Sequence, residues 1–136
     1  MSMDCVKIKE TFKSKMPTIK GRSEKLFNSI MSYVMIEKKT FIDTIELQIK
    51  DKANSTQINI INKSIKNNKM KNIKLDDIGA IPVAKQGELI TLVNNFVMCL
   101  KMDILNLLKK KILEETNKNM PNIIKNFNNN IKKMTL

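Results

Sequence analysis

Apolar residues recur at the three-and-four spacing of a helix from Leu89 to Leu113, and most of the rest of the chain is patterned to cover that stretch. Leu89, Val93, Phe96, Val97, Leu100, Ile104, Leu107, Leu108 and Ile112 form the stripe, and Ile90, Leu92, Met98, Met102 and Leu105 widen it. The pattern predicts a long apolar central helix at about 87–117, needing neighbours on more than one side. A thin polar stripe remains at Thr91, Asn94, Asn95, Lys101, Asp103 and Asn106. It argues against a membrane span, since Lys101 and Asp103 would each cost about 2.5–3.5 kcal/mol at mid-bilayer.

Three other segments carry the same period. Phe27, Ile30, Met31, Val34, Phe41, Ile42, Ile45 and Ile49 predict a helix from Glu24 to about Lys52, capped by Ser23 and broken once by a polar turn at Glu37 to Lys39. Ile58, Ile61 and Ile65 predict a thinner helix behind Asn54 and Gln57, which stand at capping-box spacing. Ile123, Ile124, Phe127, Ile131 and Met134 predict a last helix behind Asn119 and Pro121. Before Pro17 and Gly21, which read as a loop, Val6, Ile8, Phe12 and Met16 favour a short N-terminal helix over a small alternating strand at Cys5 to Lys9. Ile73 to Gln86 has no period and reads as the longest loop. The expectation is an all-α fold, a single domain over 1–136: an elongated bundle of about four main helices plus a short N-terminal element. The central helix, at 30 or so residues, is ~45 Å long against a diameter near 37 Å for a compact chain of this size, so either the helix kinks or the fold is elongated.

Composition changes this picture in two places. Lys plus Arg number 25 against 13 Asp plus Glu, a net charge of +12, which points toward a polyanionic partner. Arg22 is the only arginine, and with abundant Ile and Asn the usage resembles that of proteins from AT-rich viruses, phages and parasites, so part of the lysine excess is codon bias. The sharpest basic zone is Lys63, Lys66, Lys69, Lys71 and Lys74, interleaved with asparagines and free of acids from Ala53 until Asp76. Lysine meets phosphate as a point charge and asparagine can bond sugar, phosphate or an adenine edge, so this segment is the candidate surface for nucleic acid or another polyanion. Lys109 to Lys111 form a second cluster that the helix C-terminus accounts for by itself.

Catalytic chemistry has few candidates. The chain has no histidine, no phosphate-cradling glycine loop and no CxxC pair. Asp76, Asp77 and Glu88 read as a solvated turn and a helix start rather than a metal site. Cys5 and Cys99 are the only cysteines; Cys99 reads as a small buried hydrophobe, and no disulfide framework is expected. With no apolar signal segment at the N-terminus, the expected setting is intracellular and reducing: the cytoplasm or nucleus of a host cell, or a virion. No enzyme, cofactor or small-molecule substrate is expected. The reading is a structural or assembly subunit that joins copies of itself or other subunits through the core helix, with Leu89, Val93, Phe96, Leu100, Ile104 and Leu107 at its centre. The alternative is a dedicated nucleic-acid-binding protein that contacts duplex phosphates through residues 54–74.

Overall fold

The structure, a computed structural model, describes residues 4–50 and 73–114. These residues are all-helical: α1 (Cys5–Arg22), α2 (Glu24–Lys50) and α3 (Val83–Glu114), with a single 3-10 turn at Ile78–Ala80 between α2 and α3. The helices expected from Ile58 to Ile65 and from Ile123 to Met134 lie outside the described residues. The chain divides into two compact units. Described residues 4–38 and 73–100 belong to the first, and 39–50 and 101–114 to the second.

In the first unit α1 is longer than its sequence implies. It runs on past Pro17 and through Gly21, where a loop is expected, so that expectation is corrected. Proline lacks the N–H that would bond one turn back, at a cost of about 3 kcal/mol in a helix interior. About two turns of packing outweigh that cost, because Phe12, Met16 and Ile19 on one face are all buried. Asp4 caps the start, its carboxylate accepting the Lys7 N–H at 3.2 Å.

Ser23 ends one helix and begins the next. Its backbone N–H donates to the Ile19 carbonyl at 2.9 Å, closing α1, and its Oγ accepts the Leu26 N–H at 3.1 Å, opening α2. The expected cap is therefore present. The same hydroxyl donates to the Asp77 carboxylate, and Ser29 Oγ accepts the Asp76 N–H at 2.8 Å. These two bonds hold the segment before α3 against the first two turns of α2. Asp77 bends there with φ 63°, in the left-handed region that Asp tolerates better than most residues. The buried stripe of α2 in this unit is Leu26, Ile30, Val34 and Lys38: Ile30 and Val34 are as the period predicts, while Phe27 and Met31 are half-buried and Leu26 takes the core place beside them.

The polar turn expected at Glu37 to Lys39 is absent, and α2 is continuous through it. Lys38 is 7 % exposed, its stem covering the core while burial lowers its ammonium pKa. α3 starts four residues earlier than expected, because Pro82 stops the preceding turn and Gln86 Nε2 donates back to the Ile81 carbonyl at 2.9 Å. In the second unit Phe41, Ile42 and Ile45 of α2 and Ile104, Leu105 and Leu108 of α3 are buried. Lys101, placed on the polar stripe by sequence, is also buried at 6 %, with its ammonium 5.6 Å from the Phe41 ring centroid.

Candidate functional site

The expected assembly residues divide by burial. Leu89, Val93 and Phe96 in the first unit, and Ile104 in the second, lie in the intramolecular core. Leu100 is half-buried and Leu107 is 41 % exposed. Of the basic residues, Lys63, Lys66, Lys69 and Lys71 lie outside the described residues, and Lys74 is exposed.

The core of the first unit is a seam between α1 and α3. The Phe12 and Phe96 rings stack with centroids 3.8 Å apart and planes within 3° of parallel. Cys5 and Cys99 are joined in a disulfide, with Cα atoms 5.6 Å apart. The expectation of two unpaired cysteines is thus corrected. The reason is topological: residues 14–22 of α1 share a cavity with residues 81–89, while Cys5 at the opposite end of α1 meets Cys99, so the two helices run antiparallel. That brings together two thiols 94 positions apart. Across α2 and α3, the Tyr33 hydroxyl donates to Asn94 Oδ1 at 3.2 Å. Burial, and secondarily the Glu37 carboxylate, raises the Tyr33 pKa.

One of the cavities between α1 and α3 has a volume of about 260 Å3, with Ile19, Ile81 and Leu89 as its apolar lining and Lys15, Arg22, Lys85 and Glu88 at its rim. It is smaller than the roughly 300–1,000 Å3 usual for small-molecule sites. All four rim charges are exposed, so no desolvated polar group is aimed at a ligand. Asp76 and Asp77 are engaged with α2, Asp76 through its backbone N–H and Asp77 through its carboxylate. Among the described residues no group of three His, Cys, Asp or Glu side chains could hold a metal ion.

Large apolar side chains are exposed singly at Val6 of α1 and at Val83 and Leu107 of α3, and as a consecutive pair on α2. Met35 and Ile36 are 50 % and 61 % exposed, and half-buried Met31 and Phe27 continue the line from Met35 toward the helix start at four-residue steps. Sequence reasoning missed Met35 and Ile36 because they fall outside the buried stripe; apolar residues outside a helix's core stripe are themselves the available signal. Among the described residues, no helix is long and apolar enough to cross a membrane. No family model, no curated protein and no solved structure matches the chain.

Proposed function

We infer that the chain is a non-catalytic, basic helical protein acting as a structural or assembly subunit, with a viral or phage particle as one setting, through helix-mediated contacts with copies of itself or with other subunits. The observation that supports this most is the pair Met35 and Ile36, two consecutive large apolar side chains left at the surface of α2 beside Met31 and Phe27. The fuller architecture belongs to the same proposal: one domain of about four main helices around a long apolar central helix. Leu89, Val93, Phe96 and Ile104 then hold the subunit together, and α2 supplies the contact between subunits.

Sedimentation at micromolar concentration tests the reading. The parent protein should exceed the monomer mass, and Met35→Glu with Ile36→Glu should return it to a monomer of unchanged helicity. A parent that sediments only as a monomer, alone and with candidate partner subunits, overturns it. The reducing intracellular setting stands in tension with the Cys5–Cys99 bond. Of the settings considered, a particle that has left the cell is the one in which such a bond persists.

A second reading rests on the acid-free run that ends at exposed Lys74: contact with duplex phosphates through Lys63, Lys66, Lys69, Lys71 and Lys74. Five phosphate contacts would give a log-log salt slope of about −4.5, whereas an apolar interface is nearly indifferent to salt. Replacing Lys63, Lys66 and Lys69 with Glu should abolish duplex binding if this reading holds.

A further inference from the structure

Cys5 and Cys99 are the only cysteines in the chain, and their surroundings are unequal. Cys99 sits mid-helix on α3 with no exposed surface, close to buried Phe96 and Val97. Cys5 is the first residue of α1 and is half-buried, between Asp4 and the exposed Val6 and Lys7. At this helix start the dipole and Lys7 favour a thiolate while the Asp4 cap opposes it, so accessibility is what sets Cys5 apart. A thiol in an apolar interior is disfavoured as thiolate and is shielded from reagents. The Cα separation of 5.6 Å places the two within bonding reach without movement of either backbone.

We propose that Cys5 is a site of thiol–disulfide exchange, the single point at which an external disulfide enters the protein and an external thiol leaves it with the Cys5–Cys99 bond made. In the first step the Cys5 thiolate attacks a disulfide RSSR, forming a mixed disulfide at Cys5 and expelling RS⁻. In the second, Cys99 gives its proton to solvent and attacks Cys5 Sγ, forming the intramolecular bond and expelling the second RS⁻. Two protein thiols are oxidised and one RSSR is reduced to two RSH, so electrons and protons balance. Reduction runs the same path backwards, an external thiolate attacking at the Cys5 sulfur because the Cys99 sulfur is covered. Phe12, Met16 and Ile19 are buried further along α1, away from the bond, so the reduced protein should keep α1 docked and lose only the tie at its first turn.

The test uses the full reduced chain in native buffer with oxidised glutathione, quenched at intervals and read by mass spectrometry of peptides. In the parent, the first glutathione adduct should appear on the Cys5 peptide and then disappear as the intramolecular bond forms. In Cys99→Ser, and in Cys99→Ala as a second variant, the Cys5 adduct should accumulate instead. In Cys5→Ser, Cys99 should react at least about 100-fold slower than Cys5 does in Cys99→Ser, the difference vanishing in urea, because its reaction waits for local opening. An adduct that appears first on Cys99 in the parent, or a parent that stops at adducts without forming the bond, overturns the proposal.

Discussion

Phe12 and Phe96 lie ring against ring, 3.8 Å between centroids, across the seam that joins α1 to α3. Both are almost wholly buried, so neither ring can be removed without leaving a void. Truncating either to Ala should cost about 3–5 kcal/mol in chemical denaturation. The double variant should show a coupling of about 0.5–1.5 kcal/mol beyond the sum of area effects. Strict additivity would mean that the rings fill space without interacting.

Ser23 makes a second, smaller prediction. Ser23→Ala removes the cap of α2 and the partner of Asp77 together, and should cost about 1–2 kcal/mol. Asp77→Asn keeps a hydrogen-bonding side chain and tolerance of the left-handed backbone, and should cost less than Asp77→Ala, which keeps neither. Equal losses for the two Asp77 variants would show that neither the Ser23 bond nor the backbone conformation matters there.

Stability in alkali should have two opposed components. The Lys38 pKa is lowered in the folded state, mainly by burial, so between that lowered value and 10.5 the unfolded chain holds more protons and stability rises with pH. The Tyr33 pKa is raised, by burial first and Glu37 second, so above 10.0 the folded chain holds the extra proton and stability falls as pH climbs. Melting temperatures across this range should therefore lose their fall in Tyr33→Phe and their rise in Lys38→Met. A parent curve unchanged by either substitution would contradict the assignment.

Substituting a charge at the centre of α3 separates buried from half-buried positions. Val93→Asp, at a site with no exposed surface, should abolish the cooperative transition, while Leu100→Asp should leave a folded but weakened protein. Circular dichroism at 222 nm reads both. A folded Val93→Asp protein would mean that the seam is not the core.

Much of this was readable from spacing alone, and the failures have physical causes. The existence of α2, its cap at Ser23 and the buried face of α3 at Leu89, Val93, Phe96 and Ile104 follow from period and capping chemistry. Lys38 and Lys101 fall on polar positions in the sequence because a pattern classes lysine by its ammonium, whereas the structure uses its four-carbon stem. Pro17 reads as a breaker in the sequence because local propensity ignores the tertiary packing of Phe12, Met16 and Ile19, which carries the helix past it. Pairing of Cys5 with Cys99 was invisible, since nothing in one dimension reports that α1 and α3 run antiparallel. For the candidate surface, four of the six core positions on α3 are internal, and the exposed pair Met35 and Ile36 carries no mark in the helical period because both fall outside the buried stripe.

The ties in the first unit also have a consequence for its birth on the ribosome. Ser29 to Asp76, Ser23 to Asp77, Tyr33 to Asn94 and Cys5 to Cys99 span 47, 54, 61 and 94 positions. At roughly 5–20 residues per second, the fifty or so residues after α2 take about 2.5–10 s to make. Throughout that interval α1 and α2 have emerged without α3, so Leu26, Ile30 and Val34 await part of their cover. Nascent chains of this protein should accordingly engage hydrophobic-binding chaperones until about residue 100 clears the exit tunnel, and crosslinking to them should cease there.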